Sequence, residues 1–132
     1  MIEVYNYKDK LEGFIDGKQY LNKKKKKIGF IKKNKFKDQS GYTLLYLLNN
    51  GDIDGSEGGN LGYMENGNFF SSPDERLIYE ILKEKGEIND STGDKVLYLK
   101  GDFKDLDDLD YFGIVSRFLD LFSWDLSILY CI

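Results

Sequence analysis

Lysine is the residue type whose clustering in this sequence could carry chemistry. Residues 18–37 hold ten lysines and no acidic residue, while the rest of the chain has 9 basic and 23 acidic residues. A segment of formal charge +10 is therefore joined to a remainder of −14, and such a segment attracts phosphates or an acidic protein. The alternative interpretation is a solvated turn that happens to be rich in lysine. The candidate nucleic-acid contacts are Lys23, Lys24, Lys25, Lys26 and Lys27, with Tyr20, Phe30 and Phe36 as neighbouring aromatic residues.

Aspartate forms a second cluster, with five aspartates among the nine residues from Asp102 to Asp110. A calcium loop needs alternating ligands around a glycine-centred turn, and this segment has no glycine. The first turn of a helix favours negative charge, so these residues either cap a helix or face a basic partner. The aromatic residues that follow could anchor such a partner. The candidate protein-binding residues are Asp105, Asp107, Asp108, Tyr111, Phe118, Phe122 and Trp124.

The residues that most catalytic and metal sites require are missing from the sequence. It contains no histidine, which excludes a Ser-His-Asp or Cys-His nucleophile and any histidine metal ligand. Cys131 is the single cysteine, so a disulfide within this sequence and a thiolate zinc site are excluded as well. The glycines of residues 58–62 lack the lysine and the following helix of a phosphate-binding loop. We expect no catalytic residues, no metal and no cofactor.

An internal period indicates the elements that would position these residues. Six aromatic residues, most of them preceded by a glycine or a leucine, recur at spacings of 16, 16, 17, 16 and 19 residues. They are Phe14, Phe30, Tyr46, Tyr63, Tyr79 and Tyr98. A short polar residue lies eight or nine positions before each of them. These polar residues are Asn6, Asn22, Asp38, Asp54, Ser71 and Asn89.

A period of about 16 residues fits two strands of about five residues and two short turns. Asn, Asp, Gly and Ser supply the backbone conformations that such turns need, and the first four turns are expected near residues 8, 24, 40 and 57. Because a single hairpin is marginal in water, neighbouring hairpins must bury their faces on each other. We predict a mainly β (α+β) fold in which tandem β-hairpin repeats, residues 1–101, form a compact array with the aromatic residues as its buried spine.

Two segments depart from this pattern. Residues 72–75 resemble a helix start, with Pro73 at the first helical position and Glu75 closing a capping box, so an extra helix is expected near 73–85. A strand remains the alternative there because Tyr79 keeps the repeat register. Residues 102–121 have apolar side chains at steps of three to five and predict an amphipathic helix that caps the array. The helical segment as a whole, residues 102–132, must pack on the array or on a partner.

The sequence resembles short β-repeat families of bacterial and phage proteins. Gly13-Phe14-Ile15-Asp16-Gly17 and Gly29-Phe30-Ile31 resemble the strand of WG-type repeats, with phenylalanine in place of the usual tryptophan. The period of about 16 residues and the preceding Asn or Asp resemble the four-fold beta-flower family more closely. The similarity covers residues 2–70 and, more weakly, 71–101. It implies a non-catalytic β-repeat scaffold and transfers no functional residue.

Two classes of function fit a small acidic chain of this kind. The first is a non-enzymatic protein-binding module, such as an immunity protein or a phage-encoded inhibitor of a host defence nuclease (an anti-CRISPR protein), with a homodimer through the C-terminal segment as one form of partner. The alternative is a module that binds a nucleic-acid backbone through residues 18–37. No apolar stretch approaches the ~20 residues of a membrane span, and no basic, apolar leader opens the sequence. We expect a cytoplasmic protein without a membrane partner.

Overall fold

The computed structural model describes residues 1–121, in which twelve antiparallel strands close into one barrel. Each strand pairs with the next along the chain, and β1 pairs with β12 to close the ring. The strands are β1 (Ile2–Asn6), β2 (Leu11–Asp16), β3 (Gln19–Leu21), β4 (Lys27–Lys32), β5 (Lys35–Asp38), β6 (Thr43–Leu47), β7 (Asp52–Gly55), β8 (Asn60–Glu65), β9 (Asn68–Ser71), β10 (Leu77–Leu82), β11 (Glu87–Asp90) and β12 (Lys95–Lys100). A 3₁₀ turn (Phe103–Asp105) and one α-helix, α1 (Asp108–Phe118), follow. The expectation of a mainly β, compact array with a C-terminal helix is confirmed.

The turns of this meander fall alternately at the two ends of the barrel. We call the end with the turns after β1, β3, β5, β7, β9 and β11 the lysine rim, because residues 22–26 connect β3 to β4 there. The other end is called the opposite rim. Antiparallel strand pairs flank each of the turns expected near residues 8, 24, 40 and 57, so these four hairpins lie at the predicted positions. Neither helix among residues 1–121 is long and apolar enough to cross a membrane.

Side chains at the ends of odd-numbered strands fix most turns of the lysine rim. Asn22 Oδ1 accepts hydrogen bonds from the backbone N–H groups of Lys24 at 2.9 Å and Lys26 at 3.0 Å. An Asn or Asp that bonds the backbone two and four residues further on holds a turn by local chemistry alone. The same pair of bonds is made by Asn6, Asp38 and Asp90.

Two of the six turns start one residue later than the sequence suggested. The backbone bonds that begin these turns are made by Gly55 and Asp90 rather than by Asp54 and Asn89. With this correction the starting residue lies eight positions before the aromatic residue in every unit. In the fourth turn the starting residue is Gly55, which has no side chain that could hydrogen-bond the backbone of the turn.

Only some of the aromatic residues that were predicted as a buried spine contribute to the core. Phe14 is buried, but Phe30, Tyr46 and Tyr63 are only partly buried. Ile31 and its partner Phe36 are buried instead, and because successive residues of a strand point to opposite faces, Phe30 lies on the outer face. The buried-spine prediction is wrong for Phe30, Tyr46 and Tyr63, whose rings point outward, whereas Tyr79 lies opposite the buried Phe69 and points inward. The inner face is lined by aliphatic side chains and by aromatic residues outside the motif, such as Tyr20, Phe36 and Phe69.

Helix α1 lies inside the barrel. All seven residues from Asp110 to Ser116 are buried, and because they span about two turns, every face of the helix is covered. Gly113 lies against the ring of Tyr20 on β3, and Asp108 pairs with Lys83, in the turn after β10, on the other side of the ring of strands. The expected helix is therefore confirmed, but it fills the lumen instead of capping an end.

Residues 77–82 form strand β10, so the extra helix expected near 73–85 is wrong and the alternative of a strand is correct. β10 pairs with β9 on one side and β11 on the other. Glu75, which was expected to close a helical capping box, has a φ of +54°, outside the helical region. Hydrogen bonding to two neighbouring strands outweighs the local helical preference of this segment.

A capping box fixes the start of α1. Asp107 accepts a hydrogen bond from the backbone N–H of Asp110 at 2.9 Å, and the Asp110 side chain accepts one from the backbone N–H of Asp107 at 3.0 Å. Lys18 Nζ lies 2.6 Å from Asp110 and 3.7 Å from Asp107. Asp107 is exposed but loses some hydration, which opposes ionisation, while the hydrogen bonds with Asp110 and the charge of Lys18 hold the pKa of Asp107 below its usual value.

Replacing Asp107 by alanine should lower the free energy of unfolding by about 1 kcal/mol, the usual loss when a helix cap is removed. Because the folded-state pKa is lowered, this contribution is present above the ordinary carboxyl pKa of 3.8 and is lost as the pH falls below it. Urea denaturation at pH 7 and at about pH 3 should show a difference between variant and wild type that shrinks in acid. Asp105→Ala, at an exposed aspartate nearby, is the control, and equal losses for both variants would contradict the cap.

Candidate functional site

The lysine-rich segment occupies three neighbouring strands of the barrel. Residues 18–37 run along β3, β4 and β5, whose turns and outer faces we call the basic wall. Lys23–Lys27, called the lysine turn, lie at the lysine rim, and all five side chains are exposed. Lys32 and Lys33 lie at the opposite rim of the same wall. The structure therefore brings the charges of this segment onto one side of the molecule.

Hydrogen bonds fix the backbone of the lysine turn, and among residues 1–121 its lysines form no salt bridge. Besides its two side-chain bonds, Asn22 accepts the backbone N–H of Lys25 through its carbonyl oxygen at 2.9 Å, and Lys25 takes a φ of +65°. Within residues 1–121, none of the five ammonium groups has a carboxylate within salt-bridge distance. Like charges held together in this way repel each other, and a bound anion would relieve the repulsion.

Aromatic rings on the outer face lie beneath several lysines of the basic wall. Lys25 Nζ is 5.3 Å from the centre of the Phe14 ring, and Lys27 Nζ is 4.6 Å from that of Phe30. Lys35 Nζ, on β5, is 5.9 Å from the centre of the ring of Tyr46, its cross-strand partner on β6. Cation–π attraction over these distances holds the ammonium groups close to the outer surface of the sheet. The outward ring of the repeated motif thus helps to position the lysines.

Two exposed tyrosines flank the lysine turn. Tyr7, in the turn after β1, is 63% exposed, and Tyr42, in the turn after β5, is 64% exposed. These are the turns next to the lysine turn on either side, each about 10 Å away at a strand spacing of about 4.8 Å. The rim therefore presents an aromatic ring, a group of cations and a second aromatic ring in that order. Neither tyrosine was predicted from the sequence, although their place inside predicted hairpin turns was a usable signal.

Two of the aromatic neighbours proposed from the sequence cannot contact a ligand. Tyr20 and Phe36 are fully buried, and their rings pack against each other in the barrel with centres 6.4 Å apart. The period of two along β3 and β5 directs them inward, away from the lysines beside them. Their assignment as nucleic-acid contacts is therefore wrong, whereas Phe30 does lie on the outer wall under Lys27.

Among residues 1–121, the residues proposed to bind a protein partner do not form one surface. Tyr111 is fully buried, and burial raises the pKa of its hydroxyl to about 12. Phe118 packs edge-on against Tyr20, with ring centres 6.3 Å apart. The assignment of Tyr111 to a partner contact is wrong because strands enclose it, whereas Phe118 is only partly buried and its assignment stays a prediction. The three aspartates, Asp105, Asp107 and Asp108, are exposed, whereas Phe122 and Trp124 lie outside the described residues.

Other features offer less for binding. A cavity of about 470 Å³ at the opposite rim is lined in part by Ile15, Lys18 and Asp110, but the lysine there is already paired with the aspartate. Within residues 1–121, no group of three histidine, cysteine, aspartate or glutamate side chains could hold a metal ion.

No model of a known protein family, no curated protein and no solved structure matches this chain.

Proposed function

We propose that this protein is a non-enzymatic binding module that holds nucleic acid by its phosphate backbone on the basic wall. The observation that supports this proposal is the lysine turn, whose backbone is held by Asn22 and whose five exposed lysines lack a carboxylate partner among the described residues. The same turn bonds are made by Asn6, Asp38 and Asp90, so what distinguishes this turn is its concentration of positive charge. The helix in the lumen leaves the outer surface as the place where a macromolecule can bind.

The chemistry of the wall favours phosphates over bases. Lysine provides a compact point charge, without the paired donors by which arginine reads a guanine edge or grips a phosphate. Residues 18–37 contain no arginine, so the attraction is to charge rather than to sequence. Binding of this kind releases counterions from the nucleic acid and weakens steeply with salt. A cytoplasmic location, as expected from the sequence, would give access to such ligands.

Binding of a labelled 20-nucleotide strand, followed by fluorescence anisotropy, should weaken as salt rises. The double substitution Lys24→Gln and Lys26→Gln should weaken binding and reduce the slope of log K against log[salt] by about 1 to 1.5, because two phosphate contacts are lost. It should leave the melting temperature unchanged or raise it, since like charges are removed. Lys85→Gln with Lys104→Gln removes the same charge from exposed positions elsewhere and is the matched control. Equal weakening by both pairs, or no binding at low salt, would contradict the proposal.

A second candidate is the protein-binding module, acting as an immunity protein or an inhibitor. It is favoured by residues 38–75, which contain seven acidic residues and no lysine or arginine and form an acidic wall on β6–β9. Tyr63 and Phe70 stack on this wall with ring centres 5.0 Å apart. A basic protein, or the basic wall of a second copy, would fit it. Glu57→Gln with Glu65→Gln should then weaken such a complex without changing nucleic-acid binding.

We further propose that the barrel consists of six copies of one hairpin unit, as in the short β-repeat families that the sequence resembles. The common turn start, eight residues before each aromatic residue, supports this proposal, as do the matching turn bonds of Asn6, Asn22, Asp38 and Asp90. A repeated scaffold with variable turns lets one turn acquire five lysines without changing the strands. The binding surface would then be a local variation on an otherwise structural unit.

A further inference from the structure

We propose that the lysine rim binds single-stranded nucleic acid, with bases stacked on Tyr7 and Tyr42 and the intervening phosphates held by the lysine turn. This inference rests on the proposed function and adds the form of the ligand and the residues that select it. It starts from the two tyrosines, which are among the few large apolar side chains of residues 1–121 that are mostly exposed. Both belong to turns that border the lysine turn.

The two rings are carried by ordered turns. Tyr42 donates its backbone N–H to Asp38 Oδ1 at 3.0 Å, which fixes the backbone from which the ring projects. Tyr7 lies in the turn that Asn6 holds in the same way, through the N–H groups of Lys8 and Lys10. Because the turns are already fixed, little backbone entropy is lost when a ligand covers the rings.

Stacking on these rings requires bases that are free of a duplex. In a double helix the base faces are covered by their neighbours, whereas in a single strand each base can turn out onto an aromatic side chain. Measured along the curved rim, the turns that carry the tyrosines are about 20 Å apart, with the lysine turn between them. A single strand of several nucleotides that follows the rim would pass both rings and the lysines. A duplex could use only the lysines.

Recognition at this rim should not depend on the base sequence. The backbone N–H groups of Lys24, Lys25 and Lys26, which could otherwise read base edges, are already bonded to Asn22. Stacking tolerates every base, because each base has a flat aromatic face. The expected ligand is therefore a single strand of any sequence, with both bases and phosphates required.

Three labelled probes of equal length and known charge separate the contributions: a 12-nucleotide oligo(dT), a 12-residue abasic strand and a 12-base-pair duplex. Wild-type protein should bind oligo(dT) at least about tenfold more tightly than the abasic strand, because stacking strengthens binding by about fivefold or more per base and two bases are stacked. The double substitution Tyr7→Leu and Tyr42→Leu should remove this preference and leave the salt slope unchanged. Tyr63→Leu, at a partly buried ring on the acidic wall, is the control and should keep the preference.

The outcomes distinguish this inference from the proposed function. Equal, salt-dependent binding of oligo(dT) and the abasic strand would overturn the stacking inference and leave phosphate binding standing. Tighter binding of the duplex than of oligo(dT) would also overturn it. Failure of all three probes to bind at low salt would overturn the proposed function itself. Because both tyrosines are mostly exposed, the Leu variants should melt at the wild-type temperature, so a loss of binding reports on contact with the strand.

Discussion

Replacing Phe36 by alanine should lower the free energy of unfolding by about 3–5 kcal/mol, the usual cost of truncating a fully buried phenylalanine. Phe36 has no exposed surface and packs against Tyr20 inside the barrel. The free energy of unfolding of a domain of this size is about 5–15 kcal/mol, so a loss of about 3–5 kcal/mol removes a large fraction of the stability. Urea denaturation followed by tyrosine fluorescence or circular dichroism measures it.

Phe30→Ala is the matched control for that experiment, because Phe30 lies on the neighbouring strand, one residue from Phe36's partner Ile31, with its ring on the outer face. Only partial burial and the cation–π contact with Lys27 are lost there, so the cost should be less than half of that for Phe36→Ala. If Phe30→Ala were as destabilising as Phe36→Ala, the recurring aromatic residues would form the core. Phe30 would then lie on the inner face of the barrel and Phe36 on the outer face.

The hairpins of the first half were readable from the sequence because their turns depend on local chemistry. An Asn or Asp such as Asn22 bonds the backbone two and four residues further on, and those atoms belong to the same short segment. The start of the C-terminal helix was readable for the same reason, since Asp107 and Asp110 bond each other's backbone within one turn. Features that a few consecutive residues decide could be predicted.

The choice of buried face depends on contacts between distant residues and was not readable. A period of two separates Phe30 and Ile31 onto opposite faces but does not say which face is inside. That is decided by the closure of the sheet around a helix, where Gly13 leaves room for Phe118 and Gly29 for Arg117. Strand β10 is a second case, because the two strands beside it overrode a local helix signal.

The candidate site also combines features that could be predicted from the sequence with features that depend on the fold. The lysine turn was identified from composition alone, because charge clustering needs no knowledge of the fold. Its neighbours Tyr7 and Tyr42 were missed because the repeat directs attention to recurring positions, and these tyrosines occupy turn positions that do not recur. Tyr20 and Phe36 were assigned to the site because they are close in sequence, although the alternation of faces buries them.

Replacing Gly113 by alanine should destabilise the protein by at least about 2 kcal/mol, although alanine favours a helix over glycine by about 1 kcal/mol. An added Cβ would overlap Tyr20 Oη and Tyr20 Cζ, far inside contact distance. The ring has no room to withdraw, because Tyr20 is fully buried and its hydroxyl donates a hydrogen bond to the carbonyl oxygen of Asp110 at 3.3 Å. Urea denaturation gives the size of the loss.

A double-mutant cycle with Tyr20→Leu assigns the clash to this pair of residues. Leucine is shorter than tyrosine and lacks the clashing atoms, so Gly113→Ala should cost much less in the Tyr20→Leu background than in the wild type, a coupling expected only of residues in contact. A helix lying on the outer surface would instead gain stability from Gly113→Ala, as a solvent-facing helix does. The sign of this one substitution therefore decides whether α1 fills the lumen, and with it whether the outer wall is the surface left for a ligand.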